Sequence, residues 1–300
     1  MESTMNHPQS RLWPLFCVYA ATLAFLSLWT SHGDMAVLVL IAVFGIPHGA
    51  LDVLMMMRLS KNLNGSDGLN GRVRLGLYAL AYLMAVFFCL FLWIKVPTMC
   101  LVLLLILAAG HFGEDWTPIA RKSRVFLGVV VVTLPSIFHP NALSSYFVVL
   151  GVGEYQASNV VTMMTLACFL SCIVLITQFI KHSMEFNLWV ISLFIAAALL
   201  PVLQYFCLYF CALHAPLHTL DVKQSNRLSW NQVFKAALLP TIGTALIMIA
   251  FFYWLPDKGL SAQFLNTVFI TLFALTVPHL FLTRVYNGRV RTPEMIEPNK

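Results

Sequence analysis

Five histidines lie inside long apolar stretches of the chain, where an ionisable side chain is costly and is therefore a candidate functional residue. They are His48, His111, His214, His218 and His279. Two histidines four positions apart, such as His214 and His218, project from the same face of a helix. A set of neutral imidazoles suits iron, copper or zinc better than magnesium or calcium. The residue types and their spacing therefore predict a transition-metal site.

The positions of these histidines indicate that they share one depth. Each precedes the first basic residue after its apolar stretch by five to ten positions. At about 1.5 Å per residue, the rings would occupy a slab roughly 7–15 Å from that flank of the protein. Side chains that meet at one site require a common depth, whereas unrelated packing residues do not. For a single histidine, hydrogen bonding between helices is the alternative, and His279 could be a ligand, a support for a ligand or a packing residue.

Carboxylates follow three of the histidines at helical spacing, namely Asp52, Glu114, Asp115 and Asp221. A histidine that binds a metal usually donates its other ring N–H to a carboxylate or a carbonyl. We therefore expect Asp52, Glu114 and Asp115 to orient ligands, with a helix-end position at the cytoplasmic surface as the alternative for each of the four carboxylates. No residue is placed to act as an essential general base.

Two cysteines leave a second metal chemistry open. Cys207 and Cys211 share a helical face with His214 and His218, as in a zinc site with thiolate ligands. Cys207, however, would lie about three turns away from His218. Four histidines around ferrous iron would leave coordination positions open for O₂, which favours oxygen chemistry on an apolar substrate that enters from lipid.

The composition excludes a soluble globular protein. Of 300 residues, 60% are hydrophobic and 10% are charged, whereas soluble domains carry roughly 25% charged residues. The formal net charge of +6 does not indicate nucleic acid as a partner, because the basic residues lie in loops between apolar stretches. The chain is predicted to be an all-α, polytopic transmembrane helical bundle in the lipid bilayer.

Apolar stretches long enough to cross a bilayer predict about ten spans, or eight if two of them are re-entrant. They lie at roughly 12–30, 35–57, 75–95, 97–116, 125–150, 158–180, 187–200, 202–221, 234–255 and 262–283. Pro201 is expected to divide the long stretch 187–221, and His139-Pro140 interrupts the stretch 125–150.

The distribution of charge predicts the orientation. All but two of the 18 Lys and Arg residues lie in alternate connections, and the intervening connections hold only Lys95 and Lys258. Positive residues accumulate on the cytoplasmic side, so both termini are expected there. We expect one integral-membrane domain over residues 1–300, with short cytoplasmic tails at 1–11 and 285–300. The predicted location is the inner or plasma membrane, in which the protein is multi-pass.

Four motifs carry a resemblance to a known family. Pro47–Asp52 (PHGALD), His111–Asp115 (HFGED), His214–His218 (HAPLH) and Pro278-His279 resemble the histidine motifs of the Brp/Blh family. These are integral-membrane β-carotene 15,15′-dioxygenases of bacteria and archaea, and the resemblance runs from about residue 40 to 285 in the same motif order.

The resemblance implies an Fe(2+) centre with His48, His111, His214 and His218 as ligands. It also implies O₂-dependent cleavage of the central double bond of β-carotene into two molecules of all-trans-retinal, which commonly supply a microbial rhodopsin. Some members of the family are known only as rhodopsin-biogenesis factors, so that role or another carotenoid modification is an alternative.

Three further classes of protein remain as alternatives. A di-iron membrane desaturase or hydroxylase usually has several HxxxH and HxxHH boxes, whereas this chain has one HxxxH. A proton-coupled transporter would use the buried histidines and carboxylates as a relay. A haem protein would use two of the histidines as axial ligands.

Overall fold

The computed structural model describes residues 8–29, 33–62, 70–117, 119–179, 183–256 and 259–288, and within these ranges it contains helices and no strand. In chain order the helices are α1 (Pro8–Trp29), α2 (Gly33–Ala50), α3 (Asp52–Asn62), α4 (Gly71–Lys95), α5 (Pro97–Gly113), α6 (Arg121–Thr133), α7 (Pro135–Phe138), α8 (Pro140–Val149), α9 (Glu154–Phe179), α10 (Met184–Leu199), α11 (Val202–Tyr209), α12 (Ala215–Ser225), α13 (Trp230–Trp254) and α14 (Leu260–Tyr286). A π-helical turn, Phe210–His214, joins α11 to α12. The predicted all-α fold is confirmed.

Among the residues that the structure describes, five helical segments are long and apolar enough to cross a membrane, which indicates a multi-pass membrane protein. They are Asp34–Lys61, Gly71–Lys95, Glu154–Ile176, Trp230–Trp254 and Leu260–Tyr286, and the bent pair α6–α7 with α8 makes a sixth if it counts as one span. The other predicted spans coincide with shorter helices, such as α5 and α10. A helix of 17 residues is about 25 Å long, less than the hydrocarbon core of a typical bilayer. The count of ten spans and the cytoplasmic termini stay predictions.

Prolines end two of the helices where the sequence predicted interruptions. His139, which precedes Pro140, has φ −135° and ψ 48°, and α8 is turned by 104° relative to the preceding segment. Leu200, which precedes Pro201, is extended and separates α10 from α11. Both breaks have the same cause, because the proline ring disfavours the helical conformation of the residue before it.

The chain between α11 and α12 is also shaped by a proline. Pro216 lacks the N–H that would continue the helical hydrogen-bond ladder, and the π-helical turn Phe210–His214 lies directly before it. Such a turn inserts an extra residue and changes the direction in which the following side chains point. His214 is the last residue of this turn, so the local irregularity determines where its ring points.

Glycines allow α5 and α6 to pack with their backbones in contact. A Cβ atom built on Gly128 of α6 would collide with the carbonyl oxygen of Ala109 on α5, and one on Gly113 would collide with the carbonyl oxygen of Arg124. Small residues permit such close approach of helices in a membrane. This contact fixes the end of α5, which carries His111.

The helix α14 lies at the centre of the bundle. In its most apolar window 61% of the residues are buried, against 17–22% in α4, α9 and α13. It packs against α2, α3, α4, α5 and α13. His279, near the end of α14, is therefore surrounded by other helices rather than by lipid.

Candidate functional site

Four histidine rings from three parts of the chain form one group, which we call the histidine cluster: His111, His214, His218 and His279. The centroid of the His111 ring lies 4.6 Å from that of His214 and 5.2 Å from that of His279. The centroid of the His218 ring lies 5.1 Å from that of His279 and 6.5 Å from that of His111. Residues far apart in sequence thus meet at one depth of the bundle. They come from the end of α5, the π-helical turn, α12 and the last third of α14.

The remaining predicted ligand, His48, is on α2. Its side chain lies outside the part of the structure that is described, so its role as a ligand stays a prediction.

A buried aspartate holds the His214 ring. The Nδ1 atom of His214 lies 2.9 Å from Oδ2 and 3.1 Å from Oδ1 of Asp115. The hydroxyl of Tyr209 donates to the same carboxylate at 2.9 Å, and the indole N–H of Trp116 donates to that hydroxyl at 3.2 Å. Because a carboxylate accepts, Nδ1 of His214 carries a proton, and in the neutral ring Nε2 then carries the lone pair.

A second buried aspartate holds the His279 ring in the same way. The Nδ1 atom of His279 lies 2.7 Å from Oδ1 of Asp52, and the hydroxyl of Tyr82 donates to Oδ2 of Asp52 at 2.8 Å. Asp52 is in the first turn of α3, where the helix dipole favours a negative charge. The aspartate, the histidine and the tyrosine come from three different helices, so this network joins α3, α4 and α14.

Each of these aspartates orients a ring on a different helix from the one that the sequence spacing indicated. The spacing placed Asp52 beside His48 and Asp115 beside His111. In the structure a turn at Leu51 separates α2 from α3, which begins at Asp52, and α5 ends at Gly113, so neither aspartate lies on the regular helix of the histidine before it. Helical spacing predicts neighbours only along a continuous helix. The contacts described for these carboxylates are with the rings of His279 and His214, and the side chain of His48 lies outside the described part of the structure.

The other two acidic residues contribute less to the cluster. Oε2 of Glu114 lies 3.5 Å from Nδ1 of His111, and the Glu114 side chain is 67% exposed. Asp221 is also exposed, and it lies within α12 rather than at its end.

The imidazoles have the chemistry of transition-metal ligands. Within the described residues, no group of three or more His, Cys, Asp or Glu side chains could hold a metal ion as arranged. However, rings that bind one ion through a nitrogen at ~2.1 Å would have centroids about 5 Å apart, which is the spacing seen here. The contacts of His214 and His279 with buried aspartates are also those that metal-binding histidines usually make.

The two cysteines of α11 and the π-helical turn face away from this arrangement. The Sγ atoms of Cys207 and Cys211 lie 3.9 Å apart, and the Cys211 thiol lies 3.8 Å from the carbonyl oxygen of Leu40 on α2. These contacts are those of buried thiols that pack between helices. They do not support the alternative of a thiolate zinc site.

The histidine cluster separates an apolar cavity from a polar one. The apolar cavity has a volume of about 170 Å³ and is lined at one end by His111, His214 and His279. An apolar cavity of ~150 Å³ holds a benzene molecule, so this cavity accepts an apolar group of at least that size. The polar cavity touches His111, His214 and also His218, together with residues of α12 and the end of α14. A molecule in the apolar cavity would therefore meet the rings from the side opposite to the polar cavity.

Sequence reasoning missed two tyrosines of the site, Tyr82 and Tyr209. Each donates to a buried aspartate that orients a ring. A tyrosine in an apolar stretch is usually a packing or interface residue, so its identity alone carries no functional signal.

The comparisons with known proteins agree with the motifs. The family model described as Beta-carotene 15,15'-dioxygenase matches residues 39–287. A curated relative, the Beta-carotene 15,15'-dioxygenase of uncultured marine bacterium 66A03, is 28% identical over 273 residues, which cover 86% of this chain and 97% of the relative. No solved structure matches significantly. Because the family match covers most of the chain and includes all the histidine motifs, the Brp/Blh resemblance is confirmed and the chain belongs to the β-carotene 15,15′-dioxygenase family.

Proposed function

We propose that this protein is an iron(II)-dependent dioxygenase that cleaves the central 15,15′ double bond of β-carotene with O₂. The reaction breaks one carbon–carbon double bond and forms two carbonyl groups, each of which takes one oxygen atom from O₂. The products are two molecules of all-trans-retinal. The single observation that carries the proposal is the position of the histidine cluster at the end of an apolar cavity inside the bundle.

The proposed iron ligands are His48, His111, His214 and His218, with His279 beside them in the cluster. Iron, when bound, supplies Lewis-acid activation and orients the reactants. The carboxylates of Asp115 and Asp52 keep the protons of their partner rings on Nδ1. This arrangement directs Nε2 of His214 as a donor atom and leaves Nε2 of His279 as the ring nitrogen that is not held by Asp52.

Aromatic rings beside the cluster suit a flat conjugated substrate. The rings of Phe206 and Phe210 stack at a centroid distance of 5.3 Å, and Phe269 lies 5.3 Å from Phe206. The Phe210 ring in turn stacks on His214 at 5.6 Å. All three phenylalanines line the apolar cavity, so a polyene that packs on them is held next to the reacting position and shielded from water. The reaction has no net proton transfer, which agrees with the lack of an assigned general base.

The surroundings of the reaction are part of the proposal. We place about ten spans in the inner or plasma membrane with both termini in the cytoplasm, on the basis of the alternating basic loops. β-Carotene dissolves in the lipid, so it would enter the apolar cavity from the bilayer. Retinal would leave to the membrane, where a microbial rhodopsin is the proposed acceptor.

Expression in bacteria that accumulate β-carotene tests this function. We expect the orange colour to fade and retinal to appear in extracts, and we expect the purified protein to hold one iron per chain. A His214→Ala variant that accumulates in the membrane should leave the colour unchanged. If the unaltered protein is present in the membrane and forms no retinal, the proposal is wrong; two irons per chain would favour a di-iron enzyme.

A further inference from the structure

We infer that α8 closes the far end of the apolar cavity and thereby determines how far the substrate enters, and hence which double bond meets the histidine cluster. This inference rests on the proposed carotene cleavage and adds the residues that select the bond. The α8 residues that line the cavity are Leu143, Tyr146, Phe147 and Leu150.

The length of the cavity matches half of a symmetric carotenoid. On α5 the lining extends from His111 back to Leu101, ten positions away, and on α14 it extends from His279 back to Leu265, fourteen positions away. At ~1.5 Å per residue these separations are about 15 and 21 Å. This distance is comparable with that from the central bond of β-carotene to its terminal ring.

The end of α8 lies at the level where α5 begins, opposite the histidines. The indole N–H of Trp93, near the end of α4, donates to the carbonyl oxygen of Leu150 at 3.1 Å. A Cβ built on Gly151, directly after Leu150, would lie 3.7 Å from the Cβ of Pro97, the first residue of α5. Because His111 is fourteen positions further along α5, the C-terminal end of α8 and the cluster are at opposite ends of the same helix.

Contacts at three places hold α8 across the cavity. At the bend that precedes α8, Nε2 of His139 lies 3.0 Å from the carbonyl oxygen of Ala197. In the middle of α8 the hydroxyl of Tyr146 donates to Oδ2 of Asp34 at 3.0 Å. The third contact is the bond from Trp93 to the end of α8. With the bend of 104°, these contacts make α8 a fixed wall rather than a mobile segment.

Leu143 and Phe147 are two buried side chains of this wall. They are four positions apart on one face of α8, they are only 6% and 5% exposed, and both line the cavity. If the substrate entered further by one conjugated unit, its terminal ring would collide with these side chains. The central double bond is then the only one that lies at the cluster when the substrate is fully inserted.

Removal of these side chains should shift the position of cleavage. In a deeper cavity, a neighbouring double bond of the polyene would lie at the cluster. The chemistry would be the same, since one double bond breaks and each of its carbons takes one oxygen atom of O₂. The products would be two carbonyl compounds of unequal length instead of two identical aldehydes.

The test compares Leu143→Ala, Phe147→Ala and the double variant in β-carotene-accumulating bacteria, with the ratio of unequal-length products to retinal measured by chromatography and mass spectrometry. One methylene in a binding site commonly changes discrimination by ~10–200-fold, so we expect this ratio to rise at least about tenfold. The control is Phe169→Ala on α9, a phenylalanine that is 55% exposed and lies outside the cavity lining. It should leave the ratio unchanged.

The ratio is measured per product formed, so a lower amount of folded variant does not alter it. If the double variant does not accumulate in the membrane, the product ratios of the two single variants test the role of α8. Variants that form retinal with an unchanged ratio would overturn the role of α8. If the unaltered protein forms neither retinal nor longer carbonyl products, the proposed function fails, and that result is separate from the outcome for α8.

Discussion

The Nδ1 atom of His279 lies 2.7 Å from Oδ1 of Asp52, although the two residues are 227 positions apart in the sequence. The contact joins the end of the central helix α14 to the first turn of α3. His214 and Asp115 make the corresponding contact across 99 positions. In both pairs a buried carboxylate accepts from one ring nitrogen and so determines which nitrogen faces the cluster.

Replacement of Asp52 by asparagine should weaken iron binding by ~10–100-fold, because partners that orient a metal ligand have effects of this size. Asparagine keeps the shape of the side chain but removes the charge that holds the Nδ1 proton. The measurement is the iron content of the purified protein at a series of chelator concentrations. Tyr82→Phe is the matched control, since it leaves the carboxylate in place and should weaken iron binding less. Unchanged iron content in Asp52→Asn would reduce Asp52 to a packing role.

The individual replacement of His48, His111, His214 and His218 by alanine should abolish retinal formation while the protein still accumulates in the membrane. Each of these rings is a proposed ligand, and loss of a ligand removes the metal rather than the bundle that surrounds it. Retinal per unit of membrane protein is the measurement. Full activity in any one variant would remove that histidine from the ligand set.

His279→Ala should lower both iron retention and turnover, because its ring packs beside the proposed ligands, 5.1 Å from His218 and 5.2 Å from His111. His139→Ala serves as the control. That ring contacts the backbone carbonyl of Ala197, outside the cluster, so its loss should leave iron content near that of the unaltered protein. Equal iron content in both variants would show that His279 only packs.

Gly128→Ala should destabilise the protein by ~1–3 kcal/mol, the usual cost of forcing an extra atom into packed structure. The added methyl group would collide with the backbone of α5 at Ala109. Thermal unfolding in detergent is the measurement. At Gly76, in α4, a Cβ meets nothing within 4 Å, so Gly76→Ala should have no such cost. Equal melting temperatures for Gly128→Ala and the unaltered protein would contradict the close contact of α5 and α6.

The proposed orientation predicts which connections a membrane-impermeant thiol reagent reaches in intact cells. A cysteine in place of Tyr155, at the start of α9, should be labelled from outside. A cysteine in place of Asn231, at the start of α13, should be labelled only after the membrane is opened. Both positions are exposed, so accessibility within the protein does not separate them. The opposite pattern would reverse the topology.

The amino-acid sequence is sufficient to predict the class of fold and the depth of the histidines in the bundle. Apolar stretches and basic loops indicate helices in a bilayer, because each stretch responds to the lipid as a local segment. The depth of the histidines was predicted from the number of positions between each histidine and the first basic residue after its apolar stretch. The prolines also predicted the helix breaks at His139 and Leu200. A proline disfavours the helical conformation of the residue before it, and this effect is local and does not depend on the rest of the fold.

Which rings meet, and which carboxylate contacts which ring, depends on how the helices pack. The pairs of Asp52 with His279 and of Asp115 with His214 join separate helices, and the sequence spacing indicated other partners. Lipid interacts in a similar way with every apolar span. Hydropathy therefore determines the depth of a residue in the bilayer but not the order of the helices around the bundle. That order depends on side-chain packing between helices, such as the contact at Gly128, and on helix ends that turn a side chain toward a new neighbour.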